Sequence, residues 1–340
     1  MTEPYDVSDD GTAMSDALTV AVVGVGHFGR FHAEKYAASD DARLAAVADI
    51  DGARAAAVGQ ALGVEALSDY RNLLDRVDAV SVAVPTVSHF EVARAFLEAG
   101  VDVLVEKPIC AEVLSGEKLV QIAQVHGRIL QVGHLERFSG VVEALRRQAF
   151  EPLYIDSIRI APFKARGTDV NVILDLMIHD LDLVLSLVEA PILAVDAVGA
   201  PVFTDSEDIA SVRLKFANGC VANIVASRIS LKTERRMRVF ANDLYATVDF
   251  DRRTIVTARR AAGRSPPVAL TEETYSEGDP LEREIAAFLA AVRERRRPTV
   301  SGEDGLEALK AAILVNESLR AHADFVESTG ALAVRSRSRG

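Results

Sequence analysis

Four groups of residues have the types and spacing to do chemistry. Gly24-Val25-Gly26-His27-Phe28-Gly29 follows an apolar run, Leu18–Val23, and opens a helix-compatible stretch. In that setting Gly24 permits a tight turn, Gly26 clears space for a pyrophosphate, and Gly29 lets helix and strand pack closely. His27 and Phe28 lie inside the same loop, at a helix N-terminus that offers free N–H groups to phosphates. Asp49 ends a second apolar run, about 20 residues beyond the last glycine, the spacing of an acid that hydrogen-bonds ribose hydroxyls. A carboxylate there repels a 2′-phosphate and favours NAD over NADP. Capping of the next helix is the plainer alternative for Asp49, and Arg54 is near enough to soften the discrimination.

Glu106-Lys107-Pro108 follows a fourth apolar run, Val101–Val105. Ligands of open parallel sheets bind beyond the C-terminal strand ends, so Lys107 is placed to polarise a substrate oxygen. The tripeptide alone reads equally as a surface lysine. Asp175 and His179 stand four residues apart in an apolar helical stretch, on one face. A histidine beside a carboxylate can accept the proton of a secondary alcohol as hydride leaves its carbon. A satisfied core histidine is the common alternative, and without a third ligand in view no metal is assigned. Asp180 and Asp182 read as capping, pairing or solvent-facing.

The elements that must position these residues come in two patterns. Over residues 18–137, runs that are apolar throughout (18–23, 44–50, 78–84, 101–105, 129–132) alternate with helical stretches (30–38, 53–62, 88–99, 112–125). This predicts a doubly wound parallel sheet, a Rossmann-type α/β domain. Residues 138–330 read as a C-terminal α+β substrate and oligomerisation domain. It has helices near 140–149 and 173–189, and strands near 153–161, 192–202, 208–216, 220–230, 235–241 and 244–250. Closing helices fall near 279–296 and 303–324. Asn218-Gly219 marks a hairpin. The expected large, mostly antiparallel open-faced sheet needs a cover, which predicts a homodimer or homotetramer. Residues 1–17 read as a disordered, solvated extension without signal-peptide character, and 331–340 as a tail.

Composition narrows the class. A net charge of −12 over 340 residues disfavours nucleic acid and anionic membrane as partners. No apolar run is long enough to span a membrane. The two cysteines, Cys110 and Cys220, form no disulfide framework and fit a reducing cytoplasm.

Taken together, the Gly24–Gly29 loop, Val84-Pro85-Thr86-Val87-Ser88-His89, the block ending in Glu106-Lys107-Pro108, and the Asp175/His179 helix resemble the glucose–fructose oxidoreductase/inositol dehydrogenase (Gfo/Idh/MocA) family. The resemblance implies a nicotinamide cofactor and oxidation or reduction of a sugar or polyol carbon. It implies Lys107, Asp175 and His179 as the catalytic set, with His179 as base. It also implies that Pro85, Thr86 and His89 border the cofactor and that Glu106 lies near the nicotinamide ribose. Gln131 to Phe138 and Gly167 to Asp180 further resemble a branch that oxidises C3 of UDP-N-acetylglucosamine, upstream of an aminotransferase making diamino sugars for lipid A. In that branch Arg-Phe is often followed by Asn-Pro, where this chain has Ser139-Gly140. Arg137, Lys164, Arg166, Thr168, Asp169 and Asn171 are the substrate contacts this implies. Arg137, Lys164 and Arg166 would face a diphosphate, with solvated surface as the alternative. A free polyol or aldose dehydrogenase is the second expectation, and a non-catalytic NAD-binding sensor the third.

Overall fold

The computed structural model describes residues 17–148, 150–163, 171–263, 267–275 and 278–328. The first layer is a parallel sheet of β1 (Leu18–Val23), β2 (Ala42–Ala48), β3 (Glu65–Leu67), β4 (Ala79–Val82), β5 (Asp102–Glu106) and β6 (Leu130–Gly133). Its spatial order is β3-β2-β1-β4-β5-β6, a Rossmann order whose direction reverses between β1 and β4. Strands β1, β4, β5 and β6 are mostly buried on both faces, which is why they read largely as Val, Ala and Leu. Helices α1 (His27–Ala37), α2 (Gly52–Leu62), α3 (His89–Glu98) and α4 (Val113–Val125) connect them. Helix α1 begins three residues earlier than its apolar spacing predicts, because the glycine loop itself forms its first turn. Strand β3 was not expected: three residues with one charge carry no periodic signal.

After α5 (Gly140–Arg147) the chain builds a second sheet from β7 (Tyr154–Ile160), β8 (Ile192–Ala200), β9 (Ile209–Phe216), β10 (Val221–Ser227), β11 (Glu234–Phe240), β12 (Leu244–Asp249), β13 (Thr254–Arg260) and β14 (Val268–Thr274). The order is β14-β13-β12-β11-β7-β10-β9-β8, antiparallel except for β7 beside β10. Along β7, β9 and β12 buried residues alternate with more accessible ones, the period of a sheet covered on one face. The cover is α6 (Ile178–Val188), entered through a π-helical turn, Ile173–Met177. β13 and β14 went unrecognised in the sequence. β14 is an edge strand with almost every residue exposed, so no apolar alternation marks it.

The last two helices, α7 (Pro280–Glu294) and α8 (Gly302–Ser328), cross the linear division at residue 138. Leu281, Ile285, Phe288, Leu289 and Val292 of α7 join the core of Val20, Val22, Tyr36 and Leu104. The residues assigned by position to the second domain therefore cover the first sheet. Helix α8 serves both layers. Leu306 and Leu309 pack with Leu119 and Val132, while Ala312, Val315 and Leu319 pack with Val212 and Leu214. Gly305 is obligatory in this contact, since a Cβ there would lie 2.5 Å from Val132.

Candidate active site

The glycine loop sits at the reversal between β1 and β4. Gly24 has φ +84° and its absent Cβ would lie 2.7 Å from the Ala83 backbone. At Gly29 a Cβ would fall 1.7 Å from the Gly24 carbonyl oxygen, so these two glycines hold the turn itself. Gly26 differs: nothing lies within 4 Å of its Cβ direction. It faces an open cleft of about 640 Å³ lined by Val25, His27, Arg30, Arg54, Ala57 and Val58. The space that Gly26 leaves is therefore kept for a ligand, and it suits a pyrophosphate at the start of α1. His27 and Phe28 are exposed at its rim.

Asp49 is buried at the base of the cleft. Its Oδ2 accepts from the Val25 N–H at 2.9 Å, and its Oδ1 from the Asp51 N–H at 2.9 Å. Arg54 Nη1 donates to both oxygens at 3.2 Å. The capping role falls to Asp51, which accepts from the N–H groups of Ala53 and Arg54. Asp49 therefore does not cap α2; it ties the glycine loop to the Arg54 side chain.

Across the reversal, Pro85 is exposed and Thr86 half-buried. His89 departs from its expected place beside the cofactor. It is 1 % exposed, with Nδ1 2.8 Å from the Pro108 carbonyl and Nε2 2.9 Å from that of Val84. Burial lowers its pKa, and as a neutral ring it donates to one carbonyl at a time. Its place is between the loops after β4 and β5, which it joins.

Lys107 extends from the end of β5, and its Nζ donates to the main-chain oxygen of Asp175 at 2.9 Å. This brings the lysine to the π-helical turn, a geometry frequent at functional sites. Burial lowers the lysine pKa, while Asp175 and Glu106 oppose the shift. Glu106 pairs with His32 Nε2 at 2.9 Å and accepts from the Lys107 N–H at 3.2 Å. Burial opposes its charge, but His32 and Lys107 prevail and hold its pKa down. His179 is the second residue of α6. Its pKa is pushed well below the usual histidine value by burial, then by Lys107, Arg159, His134 and Arg235. It is accordingly neutral at neutral pH, the state a proton acceptor needs.

Arg137, Asp180, Asp182 and Asn171 are each held in side-chain pairs. Arg137 does not face the cleft. It is 7 % exposed and donates to Asp182 from Nε at 2.7 Å and from Nη2 at 2.8 Å. Of the readings open for Asp180 and Asp182, pairing holds: Asp180 accepts from Ser157 Oγ at 2.7 Å and Arg159 Nε at 2.6 Å, and Asp182 is held by Arg137. Asn171 stands at the entry to the π-helical turn, accepting from the Leu174 N–H at 3.3 Å and donating to Asn316 Oδ1 at 2.7 Å. Lys164, Arg166, Thr168 and Asp169 lie outside the described residues.

Several functional positions escaped the sequence reading. Arg159 also reaches Glu136 at 2.8 Å, so two ion-pair systems tie the turn Leu135–Phe138 to α6. Its signal was available: Ile155, Ser157 and Arg159 share the inward face of β7, an unusual place for polar groups. His134 is buried beside His179, with ring centroids 6.5 Å apart. Glu284 of α7 is fully buried, and its two carboxylate oxygens have no hydrogen-bond partner among the described residues. One oxygen each of Glu284 and Glu106 and a ring nitrogen of His32 lie within 4.8 Å of one another.

A nucleotide-binding parallel sheet, a partly buried lysine and a neutral histidine near it define a dehydrogenase-type site, and sequence comparison agrees. Residues 18–134 match the model of the oxidoreductase family with NAD-binding Rossmann fold (GFO_IDH_MocA), and residues 153–244 match the GFO/IDH/MocA C-terminal domain; the chain belongs to this family. Among its relatives, UDP-N-acetylglucosamine 3-dehydrogenase of Acidithiobacillus ferrooxidans is 41% identical over 89% of this chain and 98% of the relative. A crystal structure of that enzyme superposes with a TM-score of 0.85, covering 90% of this chain and 98% of the other at 39% identity. Myo-inositol 2-dehydrogenase of Thermotoga maritima is 28% identical over 89% of this chain and 96% of the relative.

Proposed function

We propose that the protein oxidises C3 of UDP-N-acetylglucosamine to the 3-keto sugar nucleotide, with NAD as hydride acceptor. The convergence of Lys107, Asp175 and His179 in one partly buried site carries the chemistry. The similarity to the Acidithiobacillus enzyme over nearly its whole length carries the substrate. NAD supplies the carbon that receives hydride. The Gly24–Gly29 loop and Asp49 would hold it, with Asp49 taking the ribose hydroxyls. The Asp49 carboxylate disfavours a 2′-phosphate.

His179 accepts the proton of the substrate hydroxyl. Lys107 donates a hydrogen bond to the same oxygen as charge develops on it. The main-chain carbonyl of Asp175 fixes the ammonium, and its carboxylate opposes the fall in the lysine pKa. The buried pairs Arg159–Asp180 and Arg137–Asp182 keep α6 in register with these groups. A free polyol is the second reading, favoured only by the inositol dehydrogenases among the relatives.

The partly accessible face of the second sheet supports a homodimer or homotetramer. There Tyr154, Phe240 and Tyr245 form a run of aromatic contacts, with centroids 5.5 and 5.1 Å apart. Two buried free cysteines fit a cytoplasmic setting, and an aminotransferase consuming the ketone fits the proposed product. Among the described residues no helix is long and apolar enough to cross a membrane. The test is NADH formation over a panel of UDP-N-acetylglucosamine, other UDP-sugars, inositol and free hexoses, with a ketone trap present. Turnover with UDP-N-acetylglucosamine is expected; turnover with free polyols alone would overturn the substrate assignment.

A further inference from the structure

His134 and His179 are neighbouring imidazoles on different elements, one just after β6 and one on α6. Their rings meet edge to face, with an interplanar angle of 85°. Both nitrogens of His134 and Nδ1 of His179 are buried without a hydrogen-bond partner among the described residues. Leaving such nitrogens unpaired costs roughly 1–3 kcal/mol each, so packing alone does not explain the arrangement. Behind His134, Asp182 Oδ2 stands 3.9 Å from Nδ1, and Arg137 grips the same carboxylate.

The charges around the two rings differ. His179 faces Lys107 from the end of β5, Arg159 from β7, Arg235 from β11 and His134, all of which oppose a positive ring. His134 faces Asp182 and Glu106, which favour a positive ring, against Arg137 and Lys107, which oppose it. Burial opposes protonation at both. An imidazolium is therefore better placed at His134 than at His179.

We propose that His134 is the next proton carrier behind His179, receiving across the span of one water the proton that His179 takes from the substrate hydroxyl. The proposal rests on the alcohol-oxidising reading of the site. As hydride leaves the carbon with its electron pair, the O–H bond breaks, and its electrons become the second bond of the ketone. The proton bonds one ring nitrogen of His179. His179 Nδ1 then releases a proton, which bonds a nitrogen of His134 and is held there against Asp182. His179 is left neutral as the other ring tautomer, which must reset before the next turnover.

The test uses the full chain with NAD, as His134→Gln and His134→Ala. NAD affinity and KM for UDP-N-acetylglucosamine are expected to stay within about twofold, while kcat falls on the order of tenfold or more. The solvent deuterium isotope effect on kcat should rise, and added imidazole should restore part of the His134→Ala rate. Wild-type kcat in His134→Gln would overturn the proposal. So would a lost rate with an unchanged isotope effect and no rescue, the signature of a purely structural role. An arm independent of turnover follows His179 by NMR of ¹⁵N-histidine protein: its titration should move in His134→Gln, and an unmoved titration overturns the relay. A wild-type protein inactive on UDP-N-acetylglucosamine whose His179 titration still moves would refute the substrate and keep the relay.

Discussion

Replacing Arg137 by methionine tests whether this residue is an internal ion-pair partner or a ligand contact. The Arg137 and Asp182 side chains are 6% and 1% exposed and share two short hydrogen bonds. Removing the guanidinium while keeping the carboxylate leaves a buried charge without its main partner, which costs about 3–5 kcal/mol. For a chain of 340 residues unfolding as one unit each kcal/mol lowers Tm by about 1–2 °C, so the expected loss is about 4–8 °C. The double variant Arg137→Met/Asp182→Leu removes both charges and should recover most of that loss, because apolar replacements of a whole buried pair are often neutral. The assay is differential scanning calorimetry of both variants, with KM for UDP-N-acetylglucosamine measured well below the transition. The expected pattern is a large Tm loss with KM little changed. A wild-type Tm with KM raised about tenfold or more would refute the reasoning and return Arg137 to the diphosphate.

Three further outcomes follow from the same geometry. Gly26→Ala should fold with wild-type Tm and lose NAD affinity, whereas Gly29→Ala should fail to fold stably; calorimetry and NAD titration separate them. Burial and the neighbouring Glu106 carboxylate raise the Glu284 pKa well above its ordinary 4.5. The folded state therefore holds a proton that the unfolded state releases, and stability should fall as pH rises from about 4.5 towards the folded pKa, by up to about 1.4 kcal/mol per pH unit. Glu284→Gln should flatten that slope in a melting series, and an unchanged slope would remove Glu284 as its source. Because His179 must be neutral to accept a proton and its pKa lies well below 6.5, kcat/KM should already be on its plateau at neutral pH. An acid limb centred at or above pH 6.5 would contradict that assignment.

What could be read directly from the chain was what neighbouring residues determine. The glycine loop, β1 and α1 form one continuous segment, so Gly24, Gly26 and Gly29 and their roles follow from local spacing. The same holds for Asp175 and His179 on their helix, although the π-helical turn between Ile173 and Met177 leaves no periodic trace. Long-range pairing was hidden. Arg137 looked like a diphosphate contact because its partner Asp182 stands 45 residues away on another element. His89 looked like a cofactor neighbour because its acceptors, Pro108 and Val84, flank it from two different loops. Helix α7 was placed by chain position, yet its apolar stripe fits the first sheet. Only the packing of Phe288 and Leu281 against β1 and α1 reveals that. Polar groups on inward faces, such as Arg159 and Glu284, are the signal to weigh more heavily in such a chain.

The most direct test of the central claim is label transfer from UDP-N-acetylglucosamine deuterated at C3. Mass spectrometry after a single turnover should show deuterium on the reduced nicotinamide and a sugar nucleotide that has lost one deuteride from C3 and one proton from its hydroxyl. Deuterium retained on the sugar while NADH forms would mean that another carbon is oxidised, and would contradict the account.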